Sequence, residues 1–373
     1  LRTTVPDVIT IGQRFRQQGY RSVRIGKIYH YDNPSSIGTS SADDIYTWDQ
    51  TINPYGRDKI EEYKINTLKP RQYGGTLSWL AADGTDEEQT DGIGATEAIE
   101  QLEKFSNSGK NFFLAVGMYR PHTPYVAPKK YFDMYDRSSI EIPYTGINDE
   151  YLKTIPEWAA RSVRIKGDQI KLNLESNKEL AQEIKEAYFA TTTFVDAQVG
   201  RILKKLKQTG LDKNTFVVFT SDHGYHLGEH GHWQKQTLFD NATRVPLIFS
   251  GPGIKSGAKS ISPVELIDIY PTLMSLTGIE APDHVIGKSL VPIFENNSYK
   301  VRNSALTKWR NGYSIKTERY RISKWKKEGK LGYELYDHKS DKEELINLAN
   351  NPNYSYLLDS LKQEIDLRIS KAI

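Results

Sequence analysis

At 373 residues, 38% apolar and 26% charged, the chain is long enough for one large domain plus a smaller one, because single cores stop growing near ~250–300 residues. Its 50 basic and 47 acidic side chains leave a formal charge of +3, spread without a block of one sign except Lys324-Trp325-Lys326-Lys327. That run reads as a solvated basic face, so nucleic acid is not an expected partner. No apolar run approaches the ~20 residues of a membrane helix, so no membrane partner is expected either. Cysteine is absent, which excludes a disulfide framework or a zinc–thiolate site built from these residues and leaves the compartment open.

In chain order, Val8, Ile9, Ile11 and Phe15 are apolar at helical spacing and Gly19 stops them, so a short helix precedes an alternating strand over residues 20–25. Residues 31–91 are rich in Asp, Ser, Gly and Tyr with weak periodicity, a long excursion of the kind that often carries function. A helix over 95–105 leads to a buried strand over 112–117 and a Pro-rich exit through Pro121, Pro124 and Pro128. A second excursion ends near Leu174, and a helix over 179–208 carries the apolar stripe of Ile184, Phe194, Val199 and Leu206 until Gly210 ends it. Residues 215–220 and 245–250 are further buried strands, and 265–276 is a helix in which Pro271 predicts a kink.

Strands alternating with helices predict an α/β domain over residues 1–294, a mostly parallel sheet sandwiched by helices. Beyond it, Tyr-rich strands over 304–307, 312–316, 320–324 and 333–336 and an amphipathic helix over 354–369 predict a small C-terminal antiparallel sheet with one helix, residues 295–373.

Three strand ends carry the chemistry. Thr220-Ser221-Asp222-His223-Gly224 follows a buried strand, where open α/β sheets bind ligands. Four of the chain's eight histidines fall within ten residues here, His223, His226, His230 and His232, a crowding that is seldom structural. Asp222 and His223 can donate to a divalent cation, but calcium takes about 6–8 oxygens and magnesium about six, so further ligands must come from elsewhere. An imidazole is an unusual partner for a hard cation, which keeps zinc and manganese open. Arg120-Pro121-His122-Thr123-Pro124 follows a second strand, its prolines restricting the backbone around an imidazole suited to hydrogen-bond an anion or protonate a leaving oxygen. Gly26-Lys27-Ile28-Tyr29-His30 follows a third, with Lys27 as a compact positive charge and His30 as a base or donor.

These three stretches, with Gly228-Glu-His-Gly-His-Trp-Gln-Lys235, occur in the same order in sulfatases of the alkaline-phosphatase superfamily. The chain most resembles the branch containing iduronate-2-sulfatase. Asn311-Gly-Tyr-Ser-Ile-Lys and Glu334-Leu-Tyr-Asp-His-Lys extend the resemblance to the tail. The resemblance implies hydrolysis of sulfate esters on a sulfated glycan such as a uronate 2-sulfate. It makes Asp222 and His223 metal ligands, with calcium the first choice, and Lys27 and Lys235 sulfate binders. His122 becomes a sulfate contact that protonates the leaving alcohol, and His30 a contact of the nucleophile.

Family members attack sulfur with a formylglycine made from Cys or Ser in a Cys/Ser-x-Pro-x-Arg motif, and take adjacent aspartates from their first strand for the metal. This sequence holds neither that motif nor a matching pair, since Asp43-Asp44 falls in a polar loop after the Gly-Lys stretch and reads as solvated. The expectation is an N-terminal segment absent from this chain, held as a companion fragment that supplies the nucleophile, so that the chain alone is inactive. Leu1 to Asp7 has no signal-peptide core and reads as a start made by cleavage; a secreted, periplasmic or lysosome-like compartment is expected. The alternatives are a metal-dependent phosphodiesterase or phosphatase of the same superfamily, and a non-catalytic protein that binds sulfated glycans.

Overall fold

The computed structural model describes residues 1–30, 32–143, 149–163, 174–326 and 329–372. They fall into two units, residues 1–142 with 167–215, and residues 143–166 with 216–373. Among the described residues no helix is long and apolar enough to cross a membrane.

In the first unit, Thr10 caps helix α1 (Ile11–Gln17) by accepting the Gln13 N–H, satisfying one of the orphan donors of a helix start. Strand β1 (Arg21–Gly26) is buried in all but its first residue. It pairs in parallel with β2 (Gln50–Ile52) on one side and β5 (Phe112–Gly117) on the other, Val23 standing opposite Gln50 and Leu114. The excursion expected to be irregular carries helix α2 (Arg57–Ile60) and strands β3 (Asn66–Thr67) and β4 (Ser78–Ala82). Strand β4 runs antiparallel to β3 and parallel to β6 (Tyr125–Pro128).

Helix α3 (Thr90–Ser108) starts five residues before its predicted position, and Gly109 ends it in the left-handed region at φ 64°. Val23 and Ile25 of β1 pack on Ala98 and Phe105 of α3 and on Leu114, Val116 and Ile202. Full burial of each large apolar side chain contributes about 1.5–3 kcal/mol. The short helix α4 (Lys129–Phe132) follows β6.

Asp43-Asp44 is a correction. Asp44 is buried, with Arg2 Nε 2.9 Å from Oδ1 and Thr47 Oγ1 donating to Oδ2 at 2.6 Å. Asp43 lies 2.7 Å from Nε of Arg24, a β1 residue only 1% exposed. A guanidinium buried that deeply requires a counter-charge, and the loop supplies it.

Short helices α5 (Asp149–Thr154) and α6 (Glu157–Val163) belong to the second unit, before the chain returns to the first with α7 (Leu174–Gln208). In the second unit β7 (Val217–Thr220) leads to a hairpin of β8 (His226–Leu227) and β9 (Trp233–Gln234), then to α8 (Asp240–Thr243) and β10 (Leu247–Ser250). Strand β10 is antiparallel to β7, departing from the parallel order expected. A parallel return takes a crossover, normally a helix of several turns, and only a hairpin and one helical turn lie between them.

Helix α9 (Ile269–Thr277) starts late enough to put Pro271 in its first turn, where no N–H is needed, so Pro271 opens the helix instead of kinking it. After α10 (Val291–Glu295), strands β11 (Ala305–Trp309), β12 (Gly312–Lys316), β13 (Tyr320–Trp325) and β14 (Tyr333–Asp337) form an antiparallel sheet in that order. Helix α11 (Ser355–Ala372) covers it through Leu358, Leu361 and Ile365 on Ile315, Ile322 and Leu335.

The basic run is corrected here too. Lys324 is buried on β13 and pairs with Asp366 of α11, and Trp325 is buried with Nε1 donating to Glu334 at 2.6 Å. The lysine stem crosses apolar surface and only its head reaches a partner. Lys327 lies outside the described residues. Parallel strands with helices and a small C-terminal antiparallel sheet with its helix make up the expected α/β class.

Candidate active site

In the first unit two strand ends lie side by side. The Lys27 N–H donates to Gly117 O at 3.0 Å, tying the residue after β1 to the last residue of β5. Gly26 makes this approach possible: its φ is 68°, and a Cβ there would stand 2.1 Å from Gly117 O. Lys27 is half-buried and His30 exposed.

The loop after β5 is held from behind by buried charges. Asp91, in the first turn of α3, accepts the N–H of Tyr119 at 2.8 Å and of Arg120 at 2.9 Å. Burial pushes its carboxyl up to about 6, against the opposing pull of the Arg120 guanidinium and the two N–H donors. The Arg120 Nη2 donates to Asp58 Oδ2 at 2.6 Å, and Asp58 Oδ1 accepts the Thr90 N–H and hydroxyl at 2.8 and 2.6 Å.

This frame sets His122. Its Nδ1 lies 2.7 Å from Thr123 O, a contact that is favourable when Nδ1 carries the proton. In that tautomer Nε2 is the nitrogen whose protonation changes with the charge of the ring. Asn33 Nδ2 lies 3.1 Å from Nδ1 and 3.0 Å from Thr123 O. His30 and His122 line one cavity of about 540 Å³ together with Asn33, Lys59 and Arg71.

In the second unit Asp222 and His223 follow β7. The Ser221 hydroxyl donates to His223 O at 2.9 Å, and His223 Nδ1 lies 2.8 Å from Gly224 O, again placing a proton on Nδ1. His223 Nε2 then stands 3.6 Å from Asp222 Oδ1. An imidazole anchored through Nδ1 to a carbonyl, its Nε2 beside a carboxylate, suits donation to a divalent cation. Among the described residues no cluster of three or more metal-capable side chains occurs, so the two donors fit part of a coordination shell. Lys235 is half-buried just after β9.

Most of the histidine crowding is packing. His226, His230 and His232 are buried, with His230 stacked on Phe239 at 4.0 Å and His226 edge-on to His232 at 5.1 Å. Burial, then the neighbouring imidazoles, hold His226 well below the usual histidine range, and burial pushes His230 down to about 4. Neutral rings suit a core; of the four, only His223 stands at the strand end. Sequence reasoning missed Asn33, Arg71, Asp58 and Asp91. The Asn33-Pro34 turn was a weak signal, and the others carried none.

Within each unit, cations and imidazoles beyond the carboxyl ends of strands suit an anionic group. The family model described as Sulfatase matches residues 6–279, and that described as N-sulphoglucosamine sulphohydrolase, C-terminal matches residues 228–371. The chain belongs to the sulfatase family. It is 33% identical over 373 residues to a sulfatase of Formosa agariphila, covering 95% of this chain and 69% of that protein. To the iduronate 2-sulfatase of Homo sapiens it is 31% identical over 314 residues, covering 73% of this chain and 55% of that enzyme. The phosphonate monoester hydrolase of Silicibacter pomeroyi shares the fold, with a TM-score of 0.78 at 22% identity over 98% of this chain and 80% of that one.

Proposed function

We propose that the protein containing this chain hydrolyses sulfate esters on a sulfated glycan, with a uronate 2-sulfate as the first substrate to test. The observation that carries this reading is the set of strand ends within a sulfatase-family chain: Lys27 after β1, His122 after β5, and Asp222 with His223 after β7. Lys27 and Lys235 hold sulfate oxygens by charge, His122 delivers a proton from Nε2 to the leaving oxygen, and His30 contacts the nucleophile. Asp222 and His223 donate one oxygen and one nitrogen to a divalent cation, calcium first, which when bound offsets negative charge on the ester.

The covalent nucleophile, a formylglycine, and the remaining metal ligands belong in this reading to a companion N-terminal segment. Two features support it. Strand β5 ends its sheet in the first unit and β7 ends its sheet in the second, so each has an outer edge with no neighbour in its ladder among the described residues. Both are apolar yet incompletely buried, Phe219 of β7 being 40% exposed. An added strand satisfies such an edge. A functional boundary near residue 295 and a secreted, periplasmic or lysosome-like setting complete the proposal.

The test is the full-length protein assayed in parallel on an aryl sulfate, a uronate 2-sulfate, a phosphate monoester and a phosphodiester. Sulfate-selective turnover supports the reading; phosphate-selective turnover, or none with normal metal content, overturns it. A Cys/Ser-x-Pro-x-Arg motif encoded upstream is expected, and its absence favours a glycan-binding role without catalysis.

A further inference from the structure

Only one end of the buried Asn33 amide is satisfied. Nδ2 is 3.0 Å from Thr123 O and 3.1 Å from His122 Nδ1, whereas among the described residues Oδ1 has no partner. An unmatched buried acceptor is costly to the fold, and Asn33 is part of the wall of the cavity that also takes His30 and His122. At about 540 Å³ that cavity is within the ~300–1,000 Å³ range of small-molecule sites. Its charged lining is uneven. Lys59 and Glu62 neutralise each other at 2.6 Å, while Asp32 and Arg71 take part in no ion pair among the described residues.

Arg71 occupies a costly position. It sits in the loop joining β3 to β4 at φ 61°, a conformation that strains a non-glycine residue. The loop is built to hold it there. Thr67 Oγ1 lies 2.9 Å from Lys69 O and 2.6 Å from Gln72 O, the Gln72 N–H donates to Lys69 O at 3.1 Å, and the Thr123 hydroxyl donates to Gly74 O at 3.1 Å. A Cβ on Gly74 would lie 1.7 Å from Asn33 O, so the glycine lets this loop close against the turn bearing Asn33. One cavity thus presents a guanidinium fork, a carboxylate and an orphan amide oxygen beside the proposed acid His122.

We infer that this cavity is the sugar subsite and that Arg71 recognises a second anionic group on the substrate, in addition to the scissile sulfate. The guanidinium fork matches a carboxylate or a second sulfate bidentately, and Asp32 and Asn33 Oδ1 accept hydroxyl protons from the same sugar. The inference rests on the sulfatase reading of His122.

The experiment compares kcat/KM of the full-length protein on an aryl sulfate, a uronate 2-sulfate and a glucosamine carrying two sulfates. Arg71→Gly suits the left-handed backbone and so separates charge from strain; Arg71→Lys keeps the charge without the fork. The ratio of kcat/KM for an anionic sugar over the aryl sulfate falls about tenfold or more in Arg71→Gly, mainly through KM, with partial recovery in Arg71→Lys. A fall confined to the uronate identifies a carboxylate, and one confined to the disulfated sugar a second sulfate. Equal loss on all three esters, or an unchanged ratio, overturns the inference. If the wild type turns over no ester, calorimetric titration with free glucuronate decides separately. Binding that Arg71→Gly abolishes keeps the subsite while the sulfatase reading falls, and absent or Arg71-independent binding overturns both.

Discussion

Replacing Glu344 by Gln removes the negative member of a buried ion pair without changing its shape. Glu344 and Arg321 are each 1% exposed, with Arg321 Nε 2.5 Å from Oε1 and Nη2 3.1 Å from Oε2. Glu344 also accepts the Asp240 N–H at 2.9 Å and meets His338 Nε2 at 2.6 Å, while the guanidinium packs 5.0 Å from the Phe239 centroid and 4.8 Å from that of Tyr336. Burial raises the carboxyl's pKa, but the Arg321 charge and the hydrogen bonds from His338, Arg321 and Asp240 outweigh it and bring the group down to about 2 from 4.5. At about 1.36 kcal/mol per pH decade this corresponds to roughly 3 kcal/mol, the scale expected when a buried pair loses one partner. The folded value lies below the unfolded one, so the contribution is complete above about pH 4.5 and is lost as the pH falls towards 2. In urea unfolding of the full-length protein at neutral pH, Glu344→Gln loses about 3 kcal/mol, and its gap to the wild type narrows between about pH 5 and about pH 3. Arg321→Met with Glu344→Leu recovers much of the loss. A single-variant loss under about 1 kcal/mol, or a gap that widens in acid, refutes the reasoning.

Asp91 carries the opposite sign: burial holds its carboxyl at about 6 against an unfolded 3.8, so the wild type gains stability relative to Asp91→Asn as the pH falls from about 6 to about 4, and urea unfolding that shows a relative loss contradicts this. Asp222 is 67% exposed, so in the proposed reading it serves the cation and not the core; Asp222→Ala is expected to abolish turnover and lower bound divalent metal with little change in melting temperature, and normal turnover with normal metal content sinks the assignment. Lys235→Ala lowers kcat by about 100-fold or more if its charge meets a sulfate oxygen in the transition state; a change in KM alone makes it a sugar contact. The chain by itself is expected to hydrolyse neither aryl sulfate nor uronate 2-sulfate, and mass spectrometry of the active natural protein should find a companion segment; a single well-folded, active species of this chain alone refutes that.

The strand carrying Phe112 to Gly117 was legible to the residue because an unbroken apolar run begins after the polar Lys110-Asn111 and is closed by Gly117. The strand-end positions of Lys27, His122 and Asp222 followed from the same runs. Small elements inside the first excursion were not legible, since strands such as Asn66–Thr67 are too short to show a period. Buried charges were the larger failure. Arg120 meets Asp58 across 62 positions and Arg24 meets Asp43 across a loop, and nothing in hydropathy separates such a pair from two solvated side chains. The same blindness made Lys324 look like surface and His230 look like chemistry: a polar residue in a core resembles a polar residue in a site until its neighbours are known.

The backing of the His122 loop and the loop that bears Arg71 are supplied by different stretches of chain. Asp58, Thr90 and Asp91 anchor the former through buried charge, while the latter is a turn between two short strands pinned mostly by its own hydroxyls and carbonyls. Over evolutionary time the tip of such a turn can change its residues without disturbing the imidazole behind it, provided Gly74 keeps its place against Asn33. If this loop lines the sugar subsite proposed above, lineages that inherit the frame can change sugar preference by drift at its exposed tip, and divergence between related enzymes should concentrate in residues 69–72 well before it reaches Gly74 or the charges beneath.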